Sequence, residues 1–290
     1  MTDETALNLY GHMVVERHRI WERRQRGETA PWTSDPVLAN RKFTNMFRVL
    51  DPGSQFVFEL GDRITDPIDI AARLVFYRIT NLPKTWRMLR AAYGRYPVAK
   101  DFVEQDTLTN ILTTYRDAGN KIFSGAYIIV PEPGTRNDKI EGAVRVTRRF
   151  VETASADFLL AKTQEERFAA LQSVPGLGRF LSMQILTDWG YLQPKEPNPL
   201  FVIAGPGARR GAALIDPNRK AEEVIRALTV EWARDPFVLL HGRPLTAMDV
   251  QNTLCEFGKY ARETVAPRKK TAYLPANPGV QPKPIVPRWW

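Results

Sequence analysis

The chain has 290 residues, of which 43% are hydrophobic, enough for one large domain or two closely packed lobes. Its 41 Lys+Arg against 32 Asp+Glu give a net charge of +9, a balance that suits a polyanionic partner. The single cysteine, Cys255, excludes a disulfide framework and a cysteine-rich zinc or iron-sulfur site, and His12, His18 and His241 are too scattered for a metal cluster. No apolar run of roughly 18 residues and no signal-like start is present, so the expected setting is a reducing cytoplasm without a membrane partner.

Nearly every element that the pattern predicts is helical. Leu7, Tyr10, Val14 and Trp21 fall at helical spacing, and Arg23, Arg24 and Arg26 gather before Gly27, where a first helix should end. Ser34 or Asp35 ahead of Pro36 marks a second helix start, and Thr65 or Asp66 ahead of Pro67 marks another. Further helices are expected near 85–94, 97–117 and 140–158. The run 126–130 is strand-like but too short to establish a sheet. Thr163 with Glu166 forms a capping-box pattern, Asp216-Pro217 should open a further helix, and the last helix starts at Thr246 with Asp249 three residues on. In that helix Val250, Leu254, Phe257 and Ala261 make an apolar stripe, and Asn252, Glu256 and Lys259 share another face. After Ala266 the chain is basic and Pro-rich, so a helical body over 1–265 is expected to carry an arm over 266–290.

Ahead of residue 189, a Pro175-Gly176-Leu177-Gly178 turn joins two amphipathic segments and resembles a helix-hairpin-helix. In such a motif the glycines allow tight turn geometry, and the free N–H groups of the following helix attract a phosphate. Gly176, Gly178 and Arg179 are therefore expected on a DNA backbone, together with Lys269 and Lys270 of the basic arm. A plain helical hairpin is the alternative. The expected fold is mainly α, in a helix-hairpin-helix, DNA-glycosylase-like architecture.

Glycosylases built on that motif carry a nucleophilic Asp in a loop after the second helix, whereas residues 201–211 here contain no carboxylate. Gly205, Gly207 and Gly211 with Arg209 and Arg210 suit a loop wrapped around a phosphate or diphosphate, or an arginine pair on the DNA backbone. In 41–55, helical spacing puts Arg41, Asn45 and Arg48 on one face with Asp51 a turn further on, and leaves Phe43, Met46, Phe47 and Leu50 for the core. These polar groups could hold a base edge or a phosphate, or form an internal network in which Asp51 neutralises Arg48. The aromatics near 76–81 and 123–127 serve stacking or core packing. Glu256 and Lys259 form a surface ion pair or, in a cleft, a proton acceptor and its partner. Phosphate-loop, dinucleotide and serine-hydrolase motifs are absent, which leaves kinase and redox readings without motif support.

Residues 31–38, the 43–55 segment, the hairpin, Gly205-Pro-Gly-Ala-Arg-Arg-Gly211 and the Gln251–Tyr260 helix together look like one family. The chain resembles the alpha-glutamyl/putrescinyl thymine pyrophosphorylases, also called amino acid:DNA transferases, over about residues 12–262; that family is similar to the helical domain of hydroxymethyluracil DNA kinases. The resemblance implies a phage-type thymidine hypermodification in which a small amine displaces diphosphate from pyrophosphorylated 5-hydroxymethyluracil in double-stranded DNA. Arg48, Arg78, Arg209 and Arg210 would then hold the leaving group, with Asn45, Gln55, Gly205 and Gly207 completing the substrate contacts. Asp51, Asp188 or Glu256 would take the amine proton, with Lys259 beside it. No protein-bound metal or other cofactor is demanded, although magnesium could accompany diphosphate. A non-catalytic DNA-binding protein and a base-excision glycosylase remain the competing readings.

Overall fold

A computed structural model describes residues 3–125, 138–234, 236, 238–266, 279 and 281–290. The strand-like run 126–130 and the basic pair Lys269 and Lys270 lie outside the described residues. The described chain is mainly helical, as expected, and contains no helix long and apolar enough to cross a membrane. It divides into two compact units, one formed by 1–51, 198–286 and 290, the other by 52–197 and 287–289.

The first unit contains α1 (Asp3–Gln25), α2 (Pro36–Asn40), a 3-10 turn (Arg48–Leu50), α12 (Pro206–Ile215), α13 (Ala221–Arg234) and α14 (Ala247–Val265). Its starts follow the predicted caps: Asp35 accepts from the N–H groups of Val37 and Leu38, and Thr246 and Asp249 form a reciprocal box. Asp216 does not open a helix. It closes α12 by donating its N–H to the Ala212 carbonyl and turns the chain by accepting from Asn218, so α13 begins only at Ala221. The core joins α1, α13 and α14 around Tyr10, whose ring stacks on Trp232 at 4.9 Å and meets Phe257 at 5.2 Å. Its hydroxyl is paired with Thr253 Oγ1 at 2.5 Å.

The Gly205–Gly211 segment is not a loop. Gly205 is the N-cap of α12, and the other two glycines let that helix lie almost on the backbone of α14. A Cβ on Gly207 would stand 2.2 Å from Cys255 Sγ, and one on Gly211 would stand 2.0 Å from the Leu254 carbonyl oxygen. Steric necessity at a helix contact therefore accounts for both. Gly11, in the middle of α1, is the opposite case, because a Cβ there would meet nothing within 4 Å.

The second unit contains α3 (Pro52–Gly61), α4 (Pro67–Thr80), α5 (Pro83–Tyr93), α6 (Ala99–Val103), α7 (Asp106–Asp117), α8 (Lys139–Thr153), α9 (Ser155–Leu160), α10 (Gln164–Gln172) and α11 (Arg179–Leu192). Every residue of α4 from Ala71 to Thr80 is buried, which makes it the central helix against which α3, α6, α8, α9 and α11 pack. The two long helices expected near 97–117 and 140–158 are each broken. The first break, at Glu104-Gln105, resets the register so that Phe102 and Leu108 both reach the interior. The second, at Ala154, lets Phe158 contact Phe150 and Trp189 at 5.7 and 5.0 Å.

Between α10 and α11 the Pro175–Gly178 turn is closed by Gln172, whose Nε2 donates to the Leu177 carbonyl at 2.9 Å and to Ser182 Oγ at 2.6 Å. Gly176 has φ +97 and a Cβ there would lie 2.5 Å from Val146 Cγ2, so both backbone and packing demand glycine. Gly178 is exposed, extended, and open to solvent beyond its Cα, and it begins α11 without a side-chain cap. In the described tail, Gln281 and Pro282 accept from Gln25 in the first unit, and Trp289 donates to the Gly190 carbonyl in the second.

Opposite outcomes are expected at two glycines of the first unit. Gly211→Ala forces a helix pair apart and should cost at least about 1–3 kcal/mol. Gly11→Ala removes only backbone entropy and should stabilise by roughly 0.5–1 kcal/mol. Urea unfolding of the two variants beside the wild type measures both, and equal effects would remove the packing explanation for Gly211.

Candidate active site

In the first unit the segment between α2 and the 3-10 turn runs along α14 in irregular conformation. Arg41, Asn45 and Arg48 thus do not share a helical face. Side chains of α14 replace the helix ladder that spacing suggested: Asn252 Nδ2 donates to the Asn45 carbonyl at 3.1 Å and to Thr44 Oγ1 at 3.2 Å, and Glu256 accepts from the Thr44 N–H at 3.4 Å. Lys259 donates to the Lys42 carbonyl and lies 4.0 Å from the centre of the Phe43 ring. Phe43, Met46, Phe47 and Leu50 are buried as expected. Arg41 reaches away to Glu263 at 3.1 Å.

The residues that follow form a compact charged knot. Asn45 donates its N–H to Asp51 Oδ1 at 2.9 Å and its side-chain amide to the Leu50 carbonyl at 2.8 Å, which folds the segment back on itself. Arg17, buried on α1, binds the Phe43 carbonyl at 3.2 Å and Asn45 Oδ1 at 2.7 Å. Asp249 accepts from the Arg48 N–H at 2.7 Å while also serving the α14 capping box through Thr246. Sequence reasoning missed Arg17 and gave Asp249 only its cap role. The pattern did contain a hint of the first, a cation among the apolar positions of α1.

Burial is the dominant influence on Asp51 and pushes its pKa up to about 6, against the opposing pull of the Asn45 N–H and the Arg48 and Arg17 charges. The nearby Glu256 charge adds to the rise. Burial raises Asp249 as well, despite its hydrogen bonds from Thr246 and Arg48. Glu256 and Lys259 are paired at 2.9 Å, with side chains 14% and 33% exposed, so the pair is neither free on the surface nor sealed in the core.

Gly207 and Arg210 approach the same helix at the adjoining face. Cys255 lies against Gly207, and burial first, then the Glu256 charge, raise its thiol pKa while Arg210 and Lys259 oppose. Thus Asn45, Arg48, Asp51, Glu256, Lys259 and the start of α12 with Gly205, Gly207 and Arg210 surround α14 within one unit. Arg209 and Arg210 are exposed.

Gln55, Arg78, Asp188 and the hairpin residues Gly176, Gly178 and Arg179 belong to the second unit. There Arg78 and Asp188 bind each other through two hydrogen bonds, Nη2 to Oδ1 at 2.8 Å and Nε to Oδ2, with the carboxylate fully buried. Asp188 is a structural counter-ion rather than a proton acceptor, and Arg78 is committed to it and to Asn81 Oδ1 at 3.1 Å. Gln55 sits half-buried on α3, and Arg179 lies 5.6 Å from the Phe168 ring centre. No group of three or more His, Cys, Asp or Glu among the described residues is arranged to hold a metal ion.

Two measurements follow from these carboxylates. Because Asp51 holds its proton more tightly when folded than when unfolded, it favours the folded state below its unfolded pKa of about 4. That contribution is lost as pH rises through about 6. The stability difference between wild type and Asp51→Asn should therefore change across this window in urea titrations and be flat above it; a flat difference throughout would place the carboxyl in water. Asp188→Ala leaves Arg78 buried without its partner and should cost about 3–5 kcal/mol, read as a large drop in unfolding midpoint. A fully stable Asp188→Ala variant would contradict the structural role.

A family model described as 5-hmdU DNA kinase, helical domain, matches residues 4–270. A 5-hmdU DNA kinase of Bacillus phage SP10 is 25% identical over 236 residues, covering 72% of this chain and 36% of the relative. The chain thus spans little more than a third of that relative. No solved structure matches. Since the family match runs from α1 through α14 and takes in the helices of both units, the chain belongs to the family of the helical domain of 5-hmdU DNA kinases.

Proposed function

We propose that the protein modifies 5-hydroxymethyluracil in DNA as a transferase, replacing the diphosphate of a pyrophosphorylated base with a small amine. The amine nitrogen attacks the 5-methylene carbon, the carbon–oxygen bond to diphosphate breaks with its electron pair leaving on oxygen, and a carboxylate takes the ammonium proton. Such a reaction needs cations on the leaving group and a proton acceptor held near neutrality. The observation that carries this reading is Asp51, a half-buried carboxyl that accepts from the Asn45 N–H beside the charges of Arg48, Arg17 and Glu256, with burial pushing its pKa up to about 6. Arg209 and Arg210, exposed on the first turns of α12, would supply guanidinium groups to the diphosphate. Glu256 is the second candidate acceptor, with Lys259 as its orienting partner. Any magnesium would travel with the diphosphate, and the enzyme would act in the host cytoplasm if phage-encoded.

DNA is proposed to lie along the Pro175–Gly178 turn, used as a helix-hairpin-helix in a glycosylase-like architecture. Support comes from the uncapped start of α11, the exposed Gly178 and the adjacent Arg179. Lys269 and Lys270 would add sequence-independent backbone contacts. A second reading, that this helical region serves a kinase acting on 5-hmdU in DNA, is favoured by the phage relative, a 5-hmdU DNA kinase.

Nucleoside mass spectrometry separates the two. DNA carrying pyrophosphorylated 5-hydroxymethyluracil is incubated with glycine, glutamate or putrescine, and DNA carrying the unmodified alcohol is incubated with ATP. An amine-bearing nucleoside with diphosphate release is expected; a phosphorylated nucleoside in the ATP arm alone would replace the transferase with the kinase reading. With the active amine saturating, Asp51→Asn or Glu256→Gln should lower single-turnover transfer by roughly 10²–10⁴-fold without loss of DNA affinity, and whichever does so is the acceptor. Gly178→Glu should weaken binding to all DNA sequences alike, and full affinity in that variant would move the interface elsewhere.

A further inference from the structure

A crevice of about 460 Å³ opens between α1 and α13 in the first unit. Its chemistry is mixed. Glu231 of α13 is exposed at one wall and makes no ion pair or hydrogen bond among the described residues. Glu16 of α1 is held ionised at the other: burial alone would raise its pKa, but hydrogen bonds from Arg19 at 2.7 Å and Thr33 at 3.0 Å bring it below the usual carboxylate range. Arg19 supplies the opposite charge along the same helix, and His12 lines the crevice beside it.

The floor is the informative part. Trp232, fixed by stacking on Tyr10, forms one side of it and Gly11 the other. Glycine in mid-helix is unfavourable and is normally retained for a close packing contact, as at Gly207 and Gly211. At Gly11 no such contact exists, and the missing side chain instead leaves the crevice open. The wall is also tied to α14: His12 Nε2 meets Asp35 Oδ2 at 3.0 Å, and the same oxygen accepts from the Tyr260 hydroxyl at 2.5 Å, one residue beyond Lys259.

We propose that this crevice binds the small primary amine, with the ammonium between Glu231 and Glu16, the methylenes over Gly11 and the Trp232 edge, and the carboxylate of an amino acid on Arg19. Its role as a co-substrate site rests on the transferase reading above; the binding itself does not. An aminocarboxylate and a diamine share the ammonium, and Arg19 distinguishes them.

Calorimetric titration of the full chain, without DNA, with glycine, glutamate and putrescine tests the site. At least one amine should bind, Glu231→Gln should weaken it by roughly tenfold as expected for a lost charge-assisted contact, and Gly11→Phe should abolish it. Arg19→Ala should weaken glycine and glutamate but not putrescine. Propionate, which lacks the ammonium, should not compete. Glu231 is exposed, so its variant folds even if Gly11→Phe does not, and DNA affinity reports integrity. Absence of binding by all three amines, or wild-type affinity in Glu231→Gln, overturns the site. Crevice binding without any transfer would sink the transferase and leave the site standing; transfer with an unchanged amine KM in Glu231→Gln would do the reverse.

Discussion

The close approach of α12 to α14 is the constraint on which the first unit depends. Two helices can come this near only if one face of the contact lacks side chains, and Gly207 and Gly211 provide that face against Leu254 and Cys255. Once α12 is seated, its first turn is fixed beside Cys255, the residue that precedes Glu256, and the Arg210 charge acts on that thiol. On the adjoining face of α14, Asn252, Glu256 and Lys259 hold the backbone of 42–45 by hydrogen bonds. One helix thus serves as the common wall for two segments about 160 residues apart in sequence, as counted between Asn45 and Gly205.

The acidic groups divide by surroundings rather than by residue type. Asp188 faces a guanidinium inside the second unit and is neutralised there. Asp249 is also buried, but its partners are N–H groups and a hydroxyl, so it organises backbone at the start of α14. Asp51 receives one backbone hydrogen bond and two nearby positive charges without a direct salt bridge to either among the ion pairs described. That combination leaves burial dominant and sets its proton affinity apart from an ordinary surface aspartate. Glu256 keeps contact with solvent and with Lys259. Only the spatial arrangement separates these four environments.

Local signals were legible in the sequence, and non-local ones were not. Asp35, Asp66, Thr163 and Thr246 announce their helices because a cap is made by residues within three positions of one another. The polar face of α14 was readable for the same reason, since helical periodicity is a local property. The glycines at 205–211 suggested a loop because sequence cannot show that α14 lies against them. In 41–48 the apolar spacing imitated a helix, whereas side chains more than 200 positions away satisfy the backbone instead. Asp188 looked like a candidate base until Arg78, from another helix, claimed both of its oxygens.

The discontinuity of the first unit has a consequence for the order of assembly. The second unit draws almost all of its core from the uninterrupted stretch 52–197, so its contacts can form while the later chain is still being synthesised. The α1 surface that carries Tyr10 must wait for Trp232 and Phe257, and Arg17 waits with it beside a segment that α14 has yet to fix. Until then an apolar face of α1 stays uncovered. Closing so long a loop adds entropy only slowly with length but delays the contact in time, which makes the late docking of α14 the step most exposed to competition from aggregation.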